Sequence, residues 1–150
     1  MERNEHKYDI LCVTNRKLCR GEFLERIERI AFNHPAAIIL REKDLPELEY
    51  EALAKQVMGI CARHGVRCIL HNFADAALRL HVEVLHASLP ILRKMSGQQR
   101  SQFAVLGASC HSVEEALEAE RLGCTYLTAG HIFATDCKKG LPGRGLGFLR

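Results

Sequence analysis

The sequence predicts an α/β protein of parallel strands joined by helical crossovers, of the (β/α)8 TIM-barrel type, with about six of the eight units present. Three observations predict it. Six short apolar runs alternate with helical patterns; they begin at positions 9, 36, 67, 82, 103 and 125, a spacing that suits compact β/α units. Nearly every run ends in polar residues: Thr14 and Asn15, Arg41 and Lys43, His71 and Asn72, His86 and Ser88, Ser109 and His111, then His131. A barrel with its site on the C-terminal face requires that recurrence. No Gly-x-Gly-x-x-Gly follows the first run, which disfavours a dinucleotide-binding open sheet.

Each element rests on its own residues. The runs Asp9–Thr14, Ala36–Leu40, Arg67–Leu70, Val82–Leu85, Phe103–Leu106 and Thr125–Thr128 are short and apolar between polar or glycine boundaries, as buried parallel strands are. Glu22–Phe32 puts Phe23, Ile27, Ile30 and Ala31 on one helical face. Asp44-Leu-Pro-Glu47 reads as a helix start, with Asp44 as cap, Pro46 in the first turn and Glu47 reaching back. That helix runs past Leu53, Val57 and Ile60 to a stop at Gly65. Shorter helices follow Asn72 and span Leu89 to about Gln99. Ser112-Val-Glu-Glu115 is a capping box whose helix ends at Gly123.

At 150 residues and 16.9 kDa the chain is expected to be one barrel domain, 1–150. A complete barrel takes about 250 residues, and about 200 when compact. Strands seven and eight are therefore expected to be missing, either because the chain is a fragment or because another chain completes it. Strands one and six would then expose apolar edges. The composition, 47% hydrophobic and 26% charged, supports a real core. A net charge of +3 and 6% aromatic residues without Trp point away from nucleic acid. No run approaches the ~18 apolar residues of a membrane span, and the first residues carry no apolar signal stretch. The seven cysteines are scattered without a CxxC pair, so neither a disulfide framework nor a zinc knuckle is indicated. Cys12, Cys61, Cys68 and Cys124 lie in apolar runs as small hydrophobes. A cytoplasmic, reduced protein is the expectation.

Three stretches carry candidate chemistry. Arg41 and Lys43 end the second run two residues apart, which points both to one side with Glu42 on the other. A guanidinium fork and an ammonium suit a phosphate or diphosphate; a solvated strand end is the plain alternative. Gly107-Ala-Ser-Cys-His-Ser112 follows a strand and opens a capped helix, where free N–H groups and the Ser109 hydroxyl favour an anion in addition to simple capping. In Gly130–Gly145, His131 follows a buried strand. A loop with Thr135, Cys137, Lys138, Lys139 and Arg144 among glycines comes next. This is a flexible basic lid over an anion with His131 as proton carrier, or else a structural histidine and a solvated loop. Cys137 lacks a base in sequence and reads as a packed thiol rather than a nucleophile. Asn72 suits a heteroaromatic ring or a phosphate. His6, His34 and His64 read as surface residues, while His71, His81 and His86 carry no motif.

Taken together, ILREKD at 39–44, HN at 71–72, GASCHSVEEA at 107–116 and GHIFATDCKKG at 130–140 resemble the thiamine phosphate synthase/TenI superfamily, in order and over nearly the whole chain. The resemblance implies a (β/α)8 barrel and a role in thiamine biosynthesis. It implies one of two reactions. Synthases join a hydroxymethylpyrimidine diphosphate to a thiazole phosphate and release pyrophosphate with Mg²⁺. The TenI branch includes a tautomerase that aromatises thiazole phosphate carboxylate by moving a proton. Synthases usually follow the third-strand Asn with an Asp, where this chain has Phe73, and carry a second Asp after the fourth strand, where His86-Ala-Ser-Leu-Pro90 has none. Mg²⁺ needs oxygen ligands, which Phe cannot supply. Gly130-His131 and Thr135-Asp-Cys-Lys138 replace the synthase Gly-Pro and Thr-x-Thr-Lys and are similar to TenI. The resemblance thus implies a thiazole tautomerase with His131 as acid/base, and no cofactor. Synthase, with Mg²⁺, is the alternative, and a non-catalytic TenI-like binding or regulatory protein is another. Arg41, Lys43, Asn72, Ser109 and Lys138 match substrate- or phosphate-binding positions. The expected partner is a small phosphorylated thiazole, with a homo-oligomer open and no nucleic acid, membrane or metal.

Overall fold

The computed structural model describes residues 9–150, Cys137 through its backbone alone, and the chain divides into two compact units between Val82 and Glu83. The expectations for His6 and for the Cys137 thiol lie outside the described residues.

The first unit runs β1 (Leu11–Val13), α1 (Phe23–Phe32), β2 (Ala37–Leu40), α2 (Glu47–Arg63), β3 (Arg67–His71) and α3 (Ala74–Arg79). Its strands pair in parallel, with Ile38 opposite Cys12 on one side and Cys68 on the other. All four residues of β2 are buried, the signature of a strand covered on both faces. α1 buries Ile27 and Ala31. α2 buries Tyr50, Ala54, Val57, Ile60 and Cys61, spaced at three and four residues as one helix face demands. α1, α2 and α3 are followed by a left-handed residue just past the cap. Gly65 takes this place after α2, as expected, while His34 (φ 49°) and His81 (φ 55°) take it after α1 and α3. These two histidines thereby have a backbone role that no side-chain motif announces.

The second unit runs β4 (Val84–Ser88), α4 (Leu89–Lys94), α5 (Gly97–Arg100), β5 (Val105–Cys110), α6 (Val113–Arg121) and β6 (Tyr126–Ala129). The strands are again parallel, with Ser88, Ser109 and Thr128 in register. β4 and β5 begin later and run further than the apolar pattern indicates. Val82 and Phe103 still donate to carbonyls of the preceding helical segments, and the polar Ser88 and Ser109 continue the ladder. His86 and Ser109 are therefore strand residues rather than loop residues. The stretch from Leu89 to Gln99 is two helices; Ser96 starts the second with a complete capping box to Gln99.

Three local expectations change. Asp44 does not cap α2: its carboxylate accepts both guanidinium N–H groups of Arg16, at 2.8 and 2.9 Å, and pairs with Lys17, a stronger offer than a helix N–H. Ser112 does cap α6 through Glu115 N at 3.1 Å, but the Glu115 carboxylate accepts from His111 N instead of returning to Ser112. His64 is half-buried rather than a plain surface residue. It and Arg63 share Glu28, whose carboxyl they hold below its ordinary range. At the expected open edges, Leu11 and Val13 are 42% and 56% exposed and Leu127 is 42% exposed. Among the described residues the cysteines are free, and no helix is long and apolar enough to cross a membrane.

Candidate functional site

In the first unit the candidate residues stand just past the C-terminal ends of two adjacent strands. β2 ends at Leu40 and is followed by Arg41 and Lys43; β3 ends at His71 and is followed by Asn72. The buried Tyr50 hydroxyl of α2 fastens the two ends together. It donates to Leu40 O at 2.7 Å and accepts from His71 N at 2.9 Å. Burial pushes its pKa upward, so the phenol keeps its proton at neutral pH.

A buried carboxylate sets the β2 end. Glu42 is 2% exposed and accepts from Thr14 Oγ1 at 2.8 Å, Arg16 N at 2.9 Å and the Arg16 guanidinium at 3.0 Å. Thr14 Oγ1 in turn accepts from Arg41 N at 3.0 Å. Glu42 is buried between the half-buried Arg41 and the exposed Lys43, and all three lie past the end of β2, where strand alternation no longer applies. Asn72 holds a left-handed backbone (φ 67°), a conformation Asn tolerates better than most non-glycine residues. The turn is closed by Phe73 N donating to His71 O and Ala74 N to Asn72 O.

In the second unit Ser109 lies near the end of β5 and His131 follows β6 by two residues. Ser109 Oγ is 2.8 Å from His86 Nε2 and accepts from Thr128 Oγ1 at 3.3 Å. His86 Nδ1 is 3.0 Å from the Tyr126 hydroxyl. Burial lowers the His86 pKa to about 4, so this imidazole is neutral at pH 7. His131 differs: both of its ring nitrogens are shielded from water and neither has a hydrogen-bond partner. Buried polar atoms are nearly always paired, which singles out this imidazole as a candidate group of the second unit.

The loop after His131 is hydrogen-bonded at its base. Arg144 N donates to His131 O at 3.1 Å and Gly145 N to Ile132 O at 2.8 Å, closing the loop on its own base. Gly143 permits this, because a Cβ there would stand 2.7 Å from Ile132 O and 2.8 Å from Ala134 N. Lys138 ends a short 3-10 turn, Asp136–Lys138, on the exposed outer part of the loop.

The sequence reasoning missed Tyr50, Glu42, His86 and Tyr126. One signal was present: Gly107 interrupts an apolar strand, and isolated glycines in strands mark close approach. A Cβ at Gly107 would fall on the Tyr126 ring, 2.5 Å from its hydroxyl oxygen.

Phe73, where a carboxylate is expected in synthases, stacks on Tyr50 with ring centroids 4.1 Å apart. Among the described residues no group of three or more His, Cys, Asp or Glu side chains is placed to hold a metal ion. Phe73 itself supplies no oxygen ligand for the ion.

Comparison with known proteins places this geometry. The thiamine-phosphate synthase of Clostridium beijerinckii is 34% identical over 149 residues, covering 95% of this chain and 69% of the relative. Thiamine-phosphate synthase 2 of Streptococcus pneumoniae is 34% identical over 145 residues, 93% of this chain and 67% of the relative. The enzyme of Clostridium tetani is 32% identical over 85% of this chain and 62% of its own length. The chain thus spans about two thirds of the curated relatives it matches. The solved structure of a thiamine phosphate pyrophosphorylase from Pyrococcus furiosus superposes with a TM-score of 0.76 at 26% identity, over 94% of this chain and 67% of the other. That likeness establishes the incomplete (β/α)8-type fold. The relatives' names match the synthase alternative rather than the tautomerase branch that the sequence resemblance favours. The model of the thiamine monophosphate synthase family matches residues 10–150, and the chain belongs to that family.

Proposed function

We propose that this chain acts in thiamine biosynthesis as a thiamine-phosphate synthase, coupling a pyrimidine diphosphate to a thiazole phosphate. The observation that carries this reading is the 34% identity, across 95% of the chain, to a protein of that name. Coupling leaves negative charge on the departing pyrophosphate. In the first unit Arg41 and Lys43 are the groups suited to take it up, and Glu42 and Tyr50 hold their strand end rigid.

A second reading, thiazole tautomerase, is favoured by two residues. His131 offers a half-buried imidazole whose two ring nitrogens are shielded and open, the equipment for taking a proton at one atom and returning it at another. Phe73 replaces the carboxylate that coupling usually employs. A positioned acid/base contributes about 10²–10⁴ in rate, so loss of His131 is decisive for this reaction.

Two assays on the purified chain separate them. Incubation with both substrates, with and without Mg²⁺, is expected to release pyrophosphate and thiamine phosphate in equal amounts. Conversion of the non-aromatic thiazole carboxylate without pyrophosphate release, abolished in His131→Asn, would overturn coupling and establish the proton shift. Binding of thiazole phosphate with turnover in neither assay would overturn both and identify a binding protein.

A further inference from the structure

Four side chains from three neighbouring strands of the second unit form one line of hydrogen bonds. Tyr126 Oη meets His86 Nδ1 at 3.0 Å, His86 Nε2 meets Ser109 Oγ at 2.8 Å, and the Thr128 hydroxyl donates to Ser109 Oγ at 3.3 Å. The register explains the alignment. Gly107 stands opposite both His86 and Tyr126, and its missing side chain is the space the Tyr126 ring crosses to reach the imidazole.

The order of protons along this line follows from the groups themselves. His86 is 3% exposed, and a neutral imidazole offers one N–H donor and one bare acceptor nitrogen. A phenol O–H is a better donor to a ring nitrogen than a phenol oxygen is an acceptor. Tyr126 therefore donates to Nδ1, and the single ring proton sits on Nε2, facing Ser109. Ser109 Oγ then accepts from two sides, from His86 Nε2–H and from Thr128, which uses both of its lone pairs.

We propose that Ser109 meets its ligand as a hydrogen-bond donor only, with its hydroxyl hydrogen committed by the Tyr126–His86 pair to an oxyanion. This position takes a phosphate or carboxylate oxygen and rejects a ligand N–H or O–H, which would find no lone pair to receive it. Tyr126 and His86 are positioning residues; they act through Ser109 and need not touch the ligand. The ligand half of this inference rests on the proposed function, whereas the proton order stands without it.

Nitrogen-15 NMR of histidine-labelled protein tests it, with His86 assigned by its loss in His86→Gln. The expected spectrum shows a protonated Nε2 and a bare Nδ1. Tyr126→Phe, which keeps the ring in place, is expected to remove that preference and to weaken binding of inorganic pyrophosphate several-fold. Ser109→Ala is expected to weaken it by about tenfold or more, the loss of one hydrogen bond to a charged group. Titration with a thiazole carboxylate in parallel distinguishes the two kinds of oxyanion. A proton on Nδ1 in the unaltered protein, with anion binding intact, would overturn the inference and leave the proposed function standing. A proton on Nε2 with neither anion bound would overturn the ligand assignment and, with it, the proposed function.

Discussion

Gly107→Ala is the substitution whose cost can be worked most fully from the structure. Gly107 does not occupy the left-handed backbone region, so alanine is acceptable to the strand and even recovers about 0.5–1 kcal/mol of chain entropy. Against this, the new Cβ falls on the Tyr126 ring. The ring must swing away and surrender its hydrogen bond to the buried His86 nitrogen. Overpacking of this kind costs about 1–3 kcal/mol, and an orphaned buried acceptor about 1–3 kcal/mol more. The net expectation is a loss of about 2–4 kcal/mol, which at this chain length lowers Tm by roughly 5–15 °C. Urea denaturation followed by circular dichroism measures it. The mechanism is specific, because in a Tyr126→Ala background the same Gly107→Ala change should cost nothing. An unchanged stability in Gly107→Ala, or an equal loss in both backgrounds, would refute the reasoning.

Further predictions follow from other contacts. Glu42→Ala strands the Thr14 hydroxyl, the Arg16 amide and part of the Arg16 guanidinium, and should destabilise by about 2–4 kcal/mol in the same denaturation experiment; a change below about 0.5 kcal/mol would contradict that clamp. Gly143→Ala pushes a methyl against backbone that cannot yield, so hydrogen exchange at the Arg144 and Gly145 amides should accelerate while Tm barely moves. His86 gives a pH dependence whose sign is fixed. Its folded pKa, about 4, lies below the unfolded value of 6.5, so the unfolded chain binds the extra proton first. Stability is therefore complete above pH 6.5 and falls as pH drops toward 4, by ~3 kcal/mol at the 1.36 kcal/mol per pH unit of linkage. His86→Gln should flatten that window, and an unflattened profile would assign the acid sensitivity elsewhere.

Much of the strand–helix order was legible because burial on both faces leaves a simple trace. β2 reads as an unbroken apolar run, and α2 as apolar residues at helical spacing. Boundaries were less legible where a strand continues in polar residues. Ser88 and Ser109 look like loop chemistry in sequence, and only the parallel register shows them as ladder members. The candidate positions at strand ends were visible as recurring polar residues, but the groups that fix them were not. Glu42, Tyr50, His86 and Tyr126 act through partners 10 to 40 residues away, and no local pattern encodes such a distance. Asp44 failed as a predicted cap for the same reason, since Arg16, 28 residues earlier, claims it.

Where the ligand sits decides whether the strands' C-terminal ends form the site. Titration of thiazole phosphate into nitrogen-15-labelled protein, with every backbone amide followed, reads this position directly. The prediction is saturable binding in which, within each unit taken by itself, the shifted amides lie at the strands' C-terminal ends: 41–43 and 72 in the first, 107–112 and 130–132 in the second. Shifts gathered instead at the opposite ends, around 34–37, 64–67 and 123–126, or no saturable change at any amide, would contradict it.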